Sequence, residues 1–416
     1  MRRGTGTAVV LGLAILVGIG VVVANAGTVR IGFTESLSGK YEVLSGRQVG
    51  GLRLWIHDVN AAGGIRLSDG TVVTFEAVSY DDGSDEARVT EGYTTLVTED
   101  GVDFLVSPYS SVFASTAAAV TEAHGKALIT AGAAASSTYS QGYTRVFQIY
   151  TPGSEYLIGA VDLLSAVAPS LTTIAFVHED SAFSRDAVTA AQARAEALGF
   201  DVAFAMAYAV GQTDFAGVGE ALAAGGVEAV LGGGHLVDGS ALAEAIRAAS
   251  TPIRFLTLLV APPDPSFADL GEAALGVIGP SQWEPQAAFS PNGATDLGIS
   301  WLGPLGADFV SHYRAEYGSD ASYHSAGGYA AGLALEEAIR AADSVRVDAV
   351  VSALEALDVL TFFGRLRFET DPASRGLQIG HEMVFVQWRR DPSGVLTKEV
   401  VWPLGAATAP VLYPLP

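Results

Sequence analysis

The feature that most constrains this chain is an alternation of strand and helix patterns that runs through it twice. Val29-Arg30-Ile31-Gly32-Phe33 reads as a strand, and Leu52, Trp55, Ile56 and Val59 recur behind it at helical spacing. Val72 to Tyr80 reads as a second strand, followed by a helix with Val89, Tyr93, Leu96 and Val97 on one face. Phe104-Leu105-Val106 is a third strand, Phe113, Ala117 and Val120 begin a third helix, and Ala127 to Thr130 is a fourth strand. The pattern pauses near Phe147 to Gly153 and restarts with strands at Thr173–Val177, Val202–Tyr208, Ala229–Leu231 and Phe255–Val260. Between them lie helices carrying Val188, Ala191, Ala195 and Leu198, then Phe215, Val218 and Leu222, then Leu242, Ile246 and Ala249. Helices between strands imply parallel βαβ units with right-handed crossovers. Two such runs of similar size predict an α/β protein with two Rossmann-like lobes. From Trp283 the rhythm changes, with helices expected around Ala307–Tyr317, Ser325–Ala342 and Asp348–Leu357. A strand-like end follows from Phe363 to Trp402, with turns at Asp371-Pro372 and Pro392-Ser393-Gly394.

Composition narrows the function. A net charge of −22 repels a phosphate backbone and an anionic membrane surface, so nucleic acid is excluded as a partner. The absence of cysteine excludes disulfides, thiolate zinc sites, cysteine nucleophiles and a cysteine-linked lipid anchor. Residues 1–26 read as a targeting segment: Arg2 and Arg3 lead an apolar run from Ala8 to Val23, and Ala24-Asn25-Ala26 offers a small-x-small cleavage site. The competing reading is a retained N-terminal membrane anchor. Both place the body outside the cytoplasm, periplasmic or extracellular, with the membrane touched only through this segment.

Enzyme signatures fail one by one. Neither a G-x-S-x-G elbow nor an H-E-x-x-H pair occurs. Gly39-Lys40 imitates the end of a phosphate loop, but Tyr41 stands where Ser or Thr is required and Thr34 where the first glycine belongs. Gly232-Gly233-Gly234 reads as a tight turn at a strand end. Asp81-Asp82-Gly83-Ser84-Asp85 reads as a turn with Ser84 or Asp85 capping the next helix, since it lacks the alternating oxygens and closing glutamate of a calcium loop. What remains is a binding argument. In open parallel sheets ligands sit beyond the carboxyl ends of the strands, against helix N-termini. Ser107-Pro108-Tyr109-Ser110-Ser111 follows the third strand and supplies hydroxyls and free backbone N–H groups suited to a carboxylate. Ala131-Gly132-Ala133-Ala134-Ala135-Ser136 follows the fourth and lets a ligand approach the backbone.

The ordered set Ile31-Gly32-Phe33, Leu37-Ser38-Gly39, His57-Asp58-Val59-Asn60-Ala61-Ala62-Gly63-Gly64-Ile65, Tyr80-Asp81-Asp82, Ser110-Ser111, Val146-Phe147-Gln148, Thr213-Asp214-Phe215 and Trp283-Glu284-Pro285 resembles the periplasmic solute-binding proteins of the leucine/isoleucine/valine-binding family. The resemblance covers essentially the whole chain after Gly27. It implies the type I periplasmic binding protein fold, two lobes joined by a three-strand hinge. Residues 28–147 plus 280–360 would form lobe 1, and residues 148–279 plus 361–405 lobe 2. It implies no catalysis and no cofactor, with capture of an amino acid-like, amide or apolar or aromatic carboxylate ligand for an ABC transporter permease. The alternative is a sensor domain of a signalling system. The implied ligand-binding set is Ser38, Tyr109, Ser110, Ser111, Gly132, Ala133, Ala134, Phe183, His235, Leu259 and Trp283, with no metal ligand. Ala134 stands where amino-acid binders carry a threonine, Phe183 replaces a tyrosine and Gly234 another aromatic residue. Leu259 stands where an acid would hold the ligand's ammonium group, so His235, Tyr109, Tyr150 or Glu284 is left to supply a polar contact.

Overall fold

The computed structural model describes residues 26–249 and 251–416. The expected targeting segment therefore lies, but for Ala26, outside the described residues. Among these residues no helix is long and apolar enough to cross a membrane.

The first run folds as β1 (Ala26–Glu35), α1 (Glu42–Ala61), β2 (Ile65–Arg66), β3 (Val72–Asp81), α2 (Glu86–Thr98), β4 (Phe104–Val106), α3 (Ser111–Ala123), β5 (Leu128–Thr130) and β6 (Val146–Gln148). Its six strands form one sheet in the order β2-β3-β1-β4-β5-β6, parallel except for the β2–β3 pair. The second run gives α4 (Ile158–Val167), β7 (Thr173–Glu179), α5 (Ala182–Ala197), β8 (Asp201–Tyr208), α6 (Val218–Ala224), β9 (Ala229–Gly233), α7 (Leu236–Ala248), β10 (Phe255–Leu258) and β11 (Ile278–Ser281). The chain continues through α8 (Pro291–Leu297), β12 (Ser300–Trp301), α9 (Gly306–Tyr317), α10 (Tyr323–Ala342), α11 (Val347–Glu355), β13 (Asp358–Leu360) and β14 (Arg365–Arg367). It ends in an antiparallel pair, β15 (Val384–Arg390) and β16 (Leu396–Trp402). The second sheet runs β16-β15-β11-β10-β9-β7-β8, and β12-β13-β14 form a small third sheet.

Burial follows position in each sheet. The central strands β4, β5 and β9 are buried at every residue, as strands covered on both faces should be. The edge strand β8 alternates, turning Asp201, Ala203, Ala205 and Ala207 to solvent.

The late helices return to the first sheet through a glycine-lined contact. A Cβ on Gly51 of α1 would lie 1.8 Å from the Ser325 carbonyl oxygen, and one on Gly328 of α10 would lie 1.9 Å from that of Gln48. Only hydrogen at these positions lets the two helices meet backbone to backbone.

Three segments connect the sheets, and one residue from each meets at a single knot. Thr151 N–H donates to Gln282 Oε1 at 2.9 Å, Thr151 Oγ1 donates to the His381 carbonyl at 3.2 Å, and His381 Nε2 donates to the Gln282 carbonyl at 2.6 Å. His381 stacks on Phe363 with ring centroids 4.7 Å apart. Burial holds its ring neutral, with a pKa lowered to about 4 despite that backbone bond. The fold is thus two Rossmann-like α/β units joined by a three-strand hinge.

Candidate functional site

Beyond the carboxyl ends of both sheets the chain leaves a partly open cavity of about 20 Å³, room for roughly one water molecule. Its walls come from loops that the βαβ rule places there. Tyr109 and Ser111 follow β4, Gly132 and Ala134 follow β5, Phe183 follows β7, His235 follows β9 and Val260 follows β10. Tyr150 and Tyr156 enter from the first connecting segment, and Tyr323 and His324 from the first turn of α10.

Ser111 opens α3, and Ser110 before it adopts φ +84°, with its hydroxyl accepting from the Phe113 N–H at 3.5 Å. Ser111 Oγ accepts from the N–H groups of Ala134 and Ala135 at 3.0 and 3.1 Å. Both lone pairs are therefore used, and the hydroxyl hydrogen is left to donate. Burial, first among the causes, pushes the phenols of Tyr109, Tyr150, Tyr156 and Tyr323 above their usual range, so all four are neutral O–H groups. Burial likewise holds the His324 imidazole well below its usual pKa, and its Nδ1 is buried without a hydrogen-bond partner.

The opposite wall is ionic one layer back. His235 Nδ1 lies 2.9 Å from Glu179 Oε2, the His235 backbone N–H donates to Asp238 Oδ1 at 2.8 Å, and Tyr208 donates to Asp238 Oδ2. Burial opposes charge on the His235 ring, but the Glu179 bond and the two carboxylates outweigh it and raise its pKa. Glu179 is lowered: burial acts against it and the His235 partnership prevails. Asp238 is raised, chiefly by burial. A Cβ on Gly234 would fall 2.5 Å from Asp238 Oδ2 and 2.6 Å from Glu179 Cβ, so this network excludes the aromatic side chain expected there. Glu179, His235 and Asp238 bring potential metal-ligating atoms within 4.8 Å of one another. Each of the three already has a hydrogen-bond partner, and a cation would have to break those bonds.

The structure brings together Tyr109, Ser111, Gly132, Ala134, Phe183 and His235 of the expected set, and leaves the others behind or outside the lining. Ser110 and Ala133 are backbone neighbours of lining residues, buried behind them. Ser38 is exposed on the β1–α1 turn, where its carbonyl accepts from Ser84 Oγ at 2.7 Å. Leu259, just past the end of β10, is wholly buried, its N–H bonded to the Gly232 carbonyl at 2.7 Å, and its neighbour Val260 lines the cavity instead. Trp283 packs edge-on against Phe309 and Phe362 at 5.6 and 5.7 Å. Glu284 is buried against Lys398 at 2.9 Å and does not line the cavity. Asp85 caps α2 from the acidic turn, accepting from the Arg88 N–H at 3.0 Å. Sequence reasoning missed Tyr156, Val260, Tyr323 and His324. The available signal was aromatic residues just before a helix or in its first turn.

A family model described as "Periplasmic binding protein" matches residues 28–393. Leu/Ile/Val-binding protein homolog 8 of Brucella abortus (strain 2308) is 25% identical over 354 residues, covering 82% of this chain and 83% of that protein. The leucine-, isoleucine-, valine-, threonine- and alanine-binding protein of Pseudomonas aeruginosa is 27% identical over 232 residues, 56% of this chain and 60% of that one. Among solved structures, the branched-chain amino acid transporter substrate-binding protein LivJ of Streptococcus pneumoniae, in complex with isoleucine, superposes with a TM-score of 0.74 at 19% identity, covering 91% of this chain and 100% of that one. An ABC transporter solute-binding protein from R. palustris, in complex with benzoate, gives 0.73 at 18% identity, covering 89% and 95%. These relatives are substrate-binding proteins, not enzymes. The fold, the cleft at the strand ends and the family match agree, and the chain belongs to the periplasmic binding protein family.

Proposed function

We propose that this protein is the extracytoplasmic solute-binding component of an ABC importer, taking a small carboxylate or amide with an apolar or aromatic body into the cleft and presenting it to a membrane permease. The observation that carries the reading is that Tyr109 and Ser111, from one sheet, share a single cavity with Phe183, His235 and Val260, from the other. A ligand touching both walls favours the arrangement that brings them together, so its binding energy drives closure. The two large sheets, each with the helices packed on it, act as the two closing bodies, and the Thr151–Gln282–His381 knot is where they pivot. The carboxylate end meets the Ser111 hydroxyl and the N-terminus of α3, whose dipole and free N–H groups favour an anion. The aromatic walls meet the apolar body. Solved relatives with the same fold are in complex with isoleucine and with benzoate, consistent with both kinds of body.

A thermal-shift screen of residues 26–416, which hold every described element, tests this against amino acids, amides, urea, aliphatic acids and aromatic acids. A ligand specific to the folded state adds about 2.7 kcal/mol at a hundredfold excess over its dissociation constant. A reproducible rise with at least one class is expected, and it should be weakened by Ser111→Ala. No rise with any class would overturn the reading.

A further inference from the structure

None of the residues lining the cleft is an aspartate or glutamate. A ligand ammonium enclosed there would meet only hydroxyls, rings and backbone, and an uncompensated buried charge costs on the order of several kcal/mol. The carboxylates of the opposite wall stand behind His235, which presents its ring between them and the cavity. We propose that His235, held by Glu179, selects the charge of the solute: its imidazolium donates from Nε2 into the cleft, and the ligand is a carboxylic acid without an ammonium group. This rests on the solute-binding reading and narrows its ligand class.

The geometry supports it from each side of the ring. With Nδ1 at 2.9 Å from Glu179 Oε2, Nδ1 is the N–H donor of that bond, leaving Nε2 as the other polar atom of the ring. Burial opposes a second proton on the ring, and so does Lys40 on the loop before α1, but Glu179 on β7 and Asp238 on α7 together favour it. Tyr41, Tyr109 and Phe183 surround the ring at centroid distances of 5.1, 5.9 and 6.2 Å and carry no charge. Tyr208 reaches the same cluster through Asp238 as a neutral phenol, and His324 faces the cavity as a neutral imidazole. Of the other free groups on the lining, the Ser111 hydroxyl donates, while the phenols of Tyr109 and Tyr323 and the neutral His324 ring, whose Nδ1 is unpartnered, can donate or accept. None of these groups carries a negative charge, so the lining offers donors to a carboxylate and no counter-ion to an ammonium.

The opposite assignment is chemically distinct. A neutral His235, backed by the Glu179 carboxylate, would accept from an ammonium through Nε2, and binding would then expel a proton. An anionic ligand instead stabilises the imidazolium, so binding takes up a proton and weakens as pH rises.

Calorimetric titration separates the two with probe pairs that differ only by the ammonium group: leucine against 4-methylpentanoate and phenylalanine against 3-phenylpropanoate, at pH 6 and pH 8. The expected result is that at least one deamino acid binds tenfold or more tighter than its amino partner, and several-fold more weakly at pH 8 than at pH 6. His235→Gln, which keeps a donor but cannot titrate, should retain the preference and lose the pH dependence. His235→Phe should lose both, with unfolding midpoints confirming that each variant is folded. Amino acids that bind tighter, or affinity that rises with pH, would overturn the inference and leave the solute-binding reading intact. No binding by any of the four probes would also overturn it, and the wider screen then decides the solute-binding reading on its own.

Discussion

Arg47 on α1 reaches across the cleft to Asp264, which follows β10 of the other sheet. Its Nε lies 2.7 Å from Asp264 Oδ2 and its Nη2 3.1 Å from Oδ1, a two-pronged ion pair. The Arg47 side chain is 14% exposed and that of Asp264 not at all. Asp264 also caps its own turn, accepting from Ser266 N–H at 2.9 Å, so its carboxylate is held in place whether or not Arg47 is present. Opening the cleft hydrates both partners, so the pair contributes the difference between one charge-assisted bond with a close ion contact and two hydrated ions, about 2 kcal/mol in favour of closure. Arg47→Met should therefore shift the closed-to-open ratio by about 30-fold, and ligand affinity by up to the same factor where binding requires closure. The absence of cysteine makes the measurement clean. Spin labels introduced at Val112 in the first turn of α3 and Val237 in the first turn of α7, both exposed, report the distance across the cleft mouth by pulsed dipolar spectroscopy. The unliganded variant should show a longer, broader distance distribution than the parent, and saturating ligand should restore the short one. Distributions that coincide, together with affinity unchanged within twofold, would refute the assignment of this pair to closure.

Three further outcomes follow from the same geometry. Gly328→Ala places a Cβ 1.9 Å from the Gln48 carbonyl and must push α1 from α10, so urea unfolding should show a loss of about 3 kcal/mol. Ser111→Ala removes the acceptor for two buried loop N–H groups and the hydroxyl that faces the ligand, so it should weaken calorimetric binding by about tenfold to a hundredfold and also lower stability by about 1–3 kcal/mol in urea unfolding. Burial lowers the His381 pKa to about 4 from the usual 6.5 of an exposed imidazole. The unfolded chain therefore binds the extra proton first, and stability should fall from about pH 6.5 to about pH 4, by roughly 3 kcal/mol, in urea titrations. His381→Gln should flatten that part of the profile.

The parallel strands and their helices were legible because their periods differ and their cores are apolar: Phe104–Val106 is a strand with the bounds read from the sequence, and the helix read as Ser325–Ala342 begins two residues earlier, at Tyr323. What escaped was set by tertiary contact. The helix Ile158–Val167 is almost wholly apolar and carries no amphipathic stripe, so periodicity could not find it. The strands Val146–Gln148 and Ile278–Ser281 are too short to show alternation, and they are strands because neighbouring strands claim their backbone groups. In the cleft, residues just after a strand were readable from the βαβ rule, as Tyr109, Ser111, Phe183 and His235 show. Leu259 and Val260 are neighbours in the bend after β10, where no period of two or 3.6 tells which of two apolar residues faces the core and which the cavity. Tyr323 and His324 reach the cleft only because Gly51 and Gly328 allow α10 to lie against α1, a contact between residues nearly three hundred positions apart in the chain.

The most direct test of the account is a crystal structure of residues 26–416 grown with the tightest-binding acid of the screen. One molecule is expected between the two sheets, its carboxylate within ~3 Å of Ser111 Oγ and an acceptor atom within the same reach of His235 Nε2. A ligand seated elsewhere, for instance in the 520 Å³ groove between Ile246, Arg254 and the C-terminal Pro414-Leu415-Pro416, would contradict it. So would a ligand whose ammonium group lies against His235.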